Sequence, residues 1–111
     1  MSIENKTHLS EDGLYLKGVV INTRAHAFES KRDQRLQVVV NVELSCGSEI
    51  VTWSQYFDPQ ENEEVQMAGK NVIAFPAPER LSTVTLRVLR TRTYNQRLTV
   101  TDAEILENSA A

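Results

Sequence analysis

A strict alternation of apolar residues between residues 36 and 44 most constrains the fold of this chain. The apolar positions recur at every second residue, at Leu36, Val38, Val40, Val42 and Leu44. The residues between them are Gln37, Val39, Asn41 and Glu43. A repeat of two residues is the period of a β-strand that buries one face and leaves the other mostly in water. This segment therefore predicts a strand of a sheet that packs against a core on one side.

Similar strand signals recur before and after this segment. They are LYLKGVVIN, IVTWSQYF, TVTLRVLRTRT and RLTVTDAEIL, with a possible extra strand at residues 71–75. Only the polar turn YNQ separates the last two long segments, and such a short link indicates a β-hairpin. Pro76 and Pro78 exclude the loop after the extra strand from any central ladder.

One segment between the third and fourth long strands has the features of a short helix. Asp58 and Pro59 are typical of a helix start, acidic residues follow in the first turn, and Gly69 can end the helix. We therefore expect a mainly all-β fold, a five-stranded antiparallel barrel of the OB type with one short helix between strands 3 and 4. Gly18 lies inside the first strand, where closure of a barrel needs a bend or a bulge.

The length of 111 residues predicts a single domain. We expect a flexible N-terminal arm at residues 1–12, one barrel domain at residues 13–107 and a frayed tail at residues 108–111. The sequence contains no run of 18 apolar residues, so it predicts no membrane span. The polar N-terminus lacks the apolar core of a signal peptide. Cys46 is the only cysteine, which fits a reducing compartment, so we expect a cytoplasmic protein.

No catalytic or metal-binding pattern is present in the sequence. His8 lies in the predicted arm and His26 in the predicted loop HAFESKRDQR, and neither has a second ligand at metal-binding spacing. No G-x-S-x-G motif and no phosphate-binding glycine loop occurs. We therefore expect a protein that binds without catalysis and uses no cofactor.

Arginine and aromatic residues concentrate in two segments of an acidic chain. The formal net charge is −3, from 15 acidic and 12 basic residues, yet residues 80–97 contain five arginines and no acidic residue. In an OB barrel, the loop between strands one and two and the loop between strands four and five flank one groove. The candidate nucleic-acid-binding residues, in or near these loops and on the strand between them, are Phe28, Lys31, Arg32, Arg35, Trp53, Tyr56, Arg87, Arg90, Arg92, Tyr94 and Arg97.

This combination suits single-stranded nucleic acid, because cations follow the phosphates while flat rings stack on unpaired bases. Other interpretations stay open for individual residues. Arg87 could form a surface ion pair with Glu43 or Glu104, and Trp53 could equally well belong to the core. The choice between DNA and RNA is open as well.

Two long segments, LYLKGVVINTRAHAFESKRDQRLQVVVNVEL and TVTLRVLRTRTYNQRLTVTDAEILE, resemble the opening and closing strands of small single-stranded-DNA-binding OB-fold proteins. The pattern is most similar to the proteins of filamentous phages and mobile elements, and it covers residues 14–107. The resemblance implies a dimer or higher homo-oligomer that coats single strands during replication of a phage or mobile element, largely independently of sequence. The alternative is an OB-fold protein–protein adaptor, of the primosome type or in phage assembly, which the acidic segment DPQENEE favours.

Overall fold

A computed structural model describes residues 7–10 and 13–110 of the chain, with side chains from Leu14 onward. Its strands in chain order are β1 (Thr7–Ser10), β2 (Gly13–Glu29), β3 (Leu36–Cys46), β4 (Glu49–Phe57), β5 (Gln66–Ala68), β6 (Asn71–Ala74), β7 (Thr83–Tyr94) and β8 (Arg97–Ser109). The predicted all-β class is confirmed, including the extra strand, which is β6. These residues form no helix, and therefore none of a length that could cross a membrane.

Five of the strands close into a ring through hydrogen bonds. β2 pairs with β3, β3 with β4, β4 with β8, β8 with β7, and β7 with β2 again. All these pairs are antiparallel except β4–β8, which is parallel and joins Thr52 to Thr99 and Trp53 to Val100. The 17 residues of β2 allow it to serve two neighbours, since its first part pairs with β7 and its second part with β3.

The core consists of the alternate side chains that the strands direct into the ring. The buried apolar residues that pack together are Leu16, Val20, Val38, Val40, Val42, Leu44, Cys46, Val51, Trp53, Val65, Val84, Leu86 and Val100. The predicted buried face of the segment at 36–44 is thus confirmed from Val38 to Leu44, whereas Leu36 at the strand end is only partly buried. Strand alternation therefore determines which side chains form the core.

The sequence predicted a short helix between its third and fourth long strands, which are β4 and β7 of the structure, and this prediction is wrong. A single turn forms, in which the carbonyl of Asp58 accepts the N–H groups of Glu61 and Asn62, both at 3.0 Å. The carboxylate of Asp58 also accepts the N–H of Gln60 at 2.9 Å. The Asn62 side chain then accepts the N–H of Glu64 at 2.9 Å. Such a local bond offers the backbone an alternative to the helical one, so the helix-start signals produce a turn.

A small β-hairpin follows where the helix was expected to continue. β5 and β6 pair antiparallel on either side of Gly69, which adopts a left-handed φ of 64° in the turn. Val65 is buried and Met67 is half-buried against the core, as is Val72 of β6. Because Val65 and Met67 lie two residues apart, only an extended chain directs both toward the core. Strand spacing thus overrides the helix-start signals.

Gly18 of β2 lies close to the end of β3. A Cβ atom at this position would lie 2.7 Å from Cys46 Sγ and 3.1 Å from the Ser45 carbonyl oxygen. The register irregularity of β2 comes slightly later, between Val20 and Asn22. The glycine is therefore required by the close approach of the two strands, and the bulge lies beside it.

Strand structure extends beyond both ends of the predicted domain. Within the predicted arm, Thr7–Ser10 pair with the start of β2 as β1, while residues 1–6 and 11–12 lie outside the described residues. At the other end β8 continues to Ser109. The Asn108 side chain donates hydrogen bonds to Ser82 Oγ at 3.0 Å and to the Thr83 carbonyl at 3.2 Å. These bonds hold the end of β8 against the start of β7.

Candidate nucleic-acid interface

The second half of β2 builds one wall of the candidate interface. The strand continues to Glu29, well beyond Asn22, where the sequence predicts its end, so the predicted loop HAFESKRDQR shrinks to residues 30–35. Ala25 and Ala27 pack against the core, and the residues between and after them face outward. Phe28 therefore lies on a strand instead of in a loop. The period-2 placement of the two alanines was the sequence signal for this extension, but alanine is a weak indicator of strands.

Two exposed aromatic side chains meet on the outer face of the ring. The rings of Phe28 on β2 and Tyr56 on β4 lie 6.2 Å apart, edge to face at 87°. Phe28 is 37% exposed and Tyr56 is 56% exposed. Between their strands lies Val39 of β3, directly opposite Tyr56 in the ladder and only 6% exposed despite its outward position. The pair thus forms an aromatic surface above β3 that still has ring area open to solvent.

The β7–β8 hairpin contributes an arginine and a tyrosine that contact each other. Arg92 Nη1 donates a hydrogen bond of 2.8 Å to Tyr94 Oη. The guanidinium carbon is 5.7 Å from the centre of the tyrosine ring. Together these distances place the guanidinium near the hydroxyl end of the ring, where a cation–π contact is weak. The 50% exposed Tyr94 thus keeps ring surface available to a ligand.

The electrostatics of Arg92 connect the hairpin to the aromatic pair. The hydrogen bond to Tyr94 and the charge of Tyr94 raise the pKa of the Arg92 guanidinium, and Tyr56 raises it further by a smaller amount. Tyr56 is therefore within electrostatic reach of Arg92, although it belongs to another strand. An arginine is protonated at every pH at which proteins are ordinarily studied, so this shift introduces no pH dependence there. Phe28 and Tyr56 thus form one contact pair and Arg92 and Tyr94 another, with Tyr56 within electrostatic reach of Arg92.

The loop at residues 30–35 has two exposed cations at its tip and a third that forms an ion pair. Lys31 and Arg32 are exposed at its tip. Arg35 instead forms an ion pair of 2.5 Å with Asp58 and donates a bond of 3.2 Å to Gln60. Its charge is already compensated, so we interpret Arg35 as the residue that fastens this loop to the turn after β4.

Two of the predicted site residues lie elsewhere. Trp53 is 1% exposed and is the largest fully buried side chain of the core. Of the two positions that the sequence left open for it, core or groove, the structure therefore shows the core, where the indole cannot stack on a base. Arg87 forms an ion pair of 2.7 Å with Glu104, one of the two partners considered from the sequence. Its backbone lies opposite Tyr15 in the first half of β2, which pairs with β7 and not with β3.

Arg90 and Arg97 complete the cations of the hairpin. Both are exposed, and within the described part of the chain neither forms an ion pair. Register irregularities on both sides of Arg90 interrupt the β7–β8 ladder, and such bulges increase the twist of a ribbon. The hairpin between residues 90 and 97 is therefore an exposed basic projection.

The sequence did not indicate two further residues of this face. Arg24 and His26 are exposed on β2 and precede Phe28 at the same alternate spacing. Arg24 lies opposite Asn41, whose side-chain oxygen accepts a bond of 2.6 Å from the Ser54 hydroxyl. The sequence prediction ended the first strand at Asn22, before Arg24 and His26. The longer β2 places these two residues on the same face as Phe28. They add a cation and an imidazole to the outer face, on which Glu43 of β3 accepts a bond of 3.2 Å from the Asn22 side chain.

Within residues 7–10 and 13–110, no group of three or more histidine, cysteine or acidic side chains is arranged to hold a metal ion. The surface carries exposed aromatic rings and exposed cations. In comparisons with known proteins, no family model, no curated protein and no solved structure matches this chain.

Proposed function

We propose that this protein binds single-stranded DNA without catalysis and largely independently of sequence, in the replication of a phage or mobile element. The observation that carries the proposal is the presence of two exposed aromatic contacts, Phe28 with Tyr56 and Tyr94 with Arg92, with Tyr56 within electrostatic reach of Arg92. Together they combine exposed ring surface with a cation. Unpaired bases offer flat faces to such rings, and their phosphates attract the surrounding cations.

We further propose that the ring is an OB-type barrel. β2, β3 and β4 follow one another antiparallel, and β7 returns after a long connection to lie beside β2, which is the Greek-key order of that fold. The groove of an OB barrel lies across its second and third strands, between two loops. Here those strands correspond to β3 and β4, and the loops to residues 30–35 and the β7–β8 turn. The hairpin β5–β6 replaces the helix that we expected.

The distribution of charge supports the same ligand in spite of the net charge. Lys31 and Arg32 lie in the loop that follows Phe28 at the end of β2, and Arg90, Arg92 and Arg97 lie on the β7–β8 hairpin. A field at a binding face depends on the local charges more than on the sum over the chain. Arginine also suits this role because its planar group can both contact a phosphate in a bidentate manner and stack.

The proposed oligomeric state and the proposed cellular location rest only on the resemblance of the sequence to a family. A homodimer or higher homo-oligomer in the cytoplasm would agree with the resemblance to phage and mobile-element proteins. Coating of a strand by neighbouring copies would then appear as cooperative binding.

The test is the affinity of a fluorescently labelled oligo-dT, measured by anisotropy, for variants of Tyr56. Tyr56→Ala should weaken binding by about 5- to 150-fold, which is the loss of one stacked base at about 1–3 kcal/mol. Tyr56→Phe should bind nearly as the parent protein, because it keeps the ring. Trp53 emission is a poor probe here, since the indole is buried.

The matched control is Ile73→Ala, which truncates a 63% exposed apolar side chain on β6. It should leave the affinity unchanged, and urea unfolding of each variant should show that the fold is intact. Equal affinities of the folded Tyr56→Ala and Ile73→Ala proteins would contradict the proposed stacking surface.

A further inference from the structure

A groove opens between β4 and β8, away from the aromatic pair. Only two residues of each strand pair with each other, and a cavity of about 560 Å³ lies beyond them. It is lined by Gln55, Phe57, Asn62, Glu64, Phe75, Pro76, Ala77, Pro78, Ile105 and Asn108. Gln55 and Phe57 alternate with Tyr56 along β4, so the groove and the aromatic pair lie on opposite faces of that strand.

The groove combines an apolar floor with a free strand edge. Ile105 is 50% exposed, and Phe57 and Phe75 are half-buried beside it. After Val100, β8 pairs only with β7 among the described residues. Its other edge therefore presents backbone N–H and C=O groups that can accept an additional strand.

The charges around the groove are acidic. Glu64 belongs to its lining, and the neighbouring turn adds Glu61 and Glu63. On β8, Glu104 and Glu107 lie opposite Arg87 and Thr85 in the ladder, on the face away from Ile105, and Glu104 is paired with Arg87. The lining itself contains no lysine or arginine. A ligand with complementary charge is therefore basic.

We propose that this groove binds an extended basic segment of a partner protein, which adds a strand to the free edge of β8 and packs an apolar side chain against Ile105 and Phe57. Main-chain bonds to a sheet edge provide affinity in such complexes, and pockets for alternate side chains provide specificity. The inference goes beyond DNA binding and does not depend on it, since it uses another face of β4.

The acidic side chains argue against two other occupants. A second copy of the chain pairing through the same edge would place Glu104 and Glu107 near their own counterparts, and like charges across neighbouring strands are destabilising. A nucleic acid would bring its phosphates toward Glu64 of the lining and toward Glu61 and Glu63 of the neighbouring turn, which repel them. A basic peptide is the occupant that the charges favour.

The test uses the whole protein and a labelled seven-residue peptide, Lys-Val-Lys-Phe-Lys-Val-Lys, with blocked ends. Ile105→Arg should weaken its binding at least about tenfold, because it removes an apolar contact and adds a like charge. Leu106→Arg is the matched control, since Leu106 is 52% exposed and does not line the groove. Both variants add the same charge, so equal loss in both would mean nonspecific attraction and would overturn the proposal.

Alternate N-methylation of the peptide distinguishes strand addition from contact by side chains alone. Methyl groups on one alternate set of amides should abolish binding, and methyl groups on the other set should leave it nearly unchanged, because a strand presents alternate N–H groups to each side. Equal effects of both sets would overturn strand addition.

Sedimentation of the parent protein and of Ile105→Arg tests whether a second copy of the chain occupies the groove. A self-associated form of the parent that only Ile105→Arg disrupts would assign the groove to a second copy and overturn the proposal. Arg92→Ala should bind the peptide normally, so that this outcome stays separate from the outcome for DNA.

Discussion

Individual residues on this protein take their roles from what surrounds them, and the arginines are the clearest case. Arg35 and Arg87 look like their neighbours in the sequence, yet each is held in an ion pair. Arg92 instead contacts Tyr94 and lies within electrostatic reach of Tyr56. Exposed ion pairs contribute little to stability, but they do remove a charge from the set available to phosphates. The basic face is thus smaller than the number of arginines suggests.

At the same scale, Gly18 should tolerate no side chain. We expect Gly18→Ala to lower the free energy of unfolding by about 1–3 kcal/mol, because the new Cβ overpacks a close contact between strands. The added atom would lie 2.7 Å from Cys46 Sγ and 3.0 Å from Leu44 Cβ. Urea unfolding measures the difference.

A double variant isolates the contact with sulfur. Cys46→Ala removes Sγ, so Gly18→Ala together with Cys46→Ala should cost less than the sum of the two single changes. Strictly additive costs would show that the sulfur contact is not the source of the overpacking.

Among the elements, the β7–β8 hairpin best connects local sequence to the proposed site. Its turn consists of Asn95 and Gln96, both with left-handed φ, at 48° and 64°. Two-residue turns of this kind match the twist of the flanking strands and favour Asn followed by Gly. Gln96 is therefore the residue that fits its position least well, since glutamine has no local advantage at positive φ.

Gln96→Gly should stabilise the protein by about 0.5 kcal/mol, because relief of the left-handed strain exceeds the entropy that glycine adds to the unfolded chain. The measurement is the urea midpoint at a constant m-value. Thr93→Gly is the opposing control, because Thr93 is in a strand, where glycine should cost about 0.5–1 kcal/mol. If both changes destabilised equally, the turn would not have the conformation described here.

The segment between β4 and β7 shows why local signals failed for one element. Asp58 and Pro59 do begin a turn, and the acidic residues after them suit a first helical turn. The apolar residues that follow, Val65 and Met67, nevertheless alternate with period two. Burial of an apolar pair outweighs the marginal stability of a two-turn helix, so a hairpin covers this part of the core.

At the scale of the whole molecule, the charges are separated between two faces. The β7–β8 hairpin and the loop at residues 30–35 carry exposed basic side chains, whereas Glu64 lines the groove between β4 and β8. Under the proposed function, this separation would allow a chain with a formal net charge of −3 to bind nucleic acid at one face, because the field at a binding face is local.

The dependence of binding on salt tests this separation. Replacement of Arg90 and Arg92 by Ala should weaken oligo-dT binding for all sequences and lower the slope of log K against log salt by about two phosphate contacts, or about 1.4 for a single strand. Anisotropy titrations at several salt concentrations give the slope.

The control replaces Arg80 and Arg87, which changes the net charge by the same amount at positions outside the proposed interface. Its slope should equal that of the parent protein. A similar loss of slope in both double variants would mean that net charge alone attracts the strand, and the hairpin would lose its assigned role.

The sequence alone determined the all-β class, the buried faces of the strands, the β7–β8 hairpin and the concentration of arginine, because period-two alternation and turn residues act locally. It did not determine the parallel pairing of β4 with β8, the extension of β2 to Glu29 or the burial of Trp53. The β4–β8 pairing closes the ring. The extension of β2 and the contact of Phe28 with Tyr56 follow instead from the register in which β2, β3 and β4 pair. Both kinds of pairing align residues that are distant in the chain, and the fold also places Tyr56 within electrostatic reach of Arg92. The candidate interface is therefore a product of tertiary structure, even though each of its residue types could be identified beforehand.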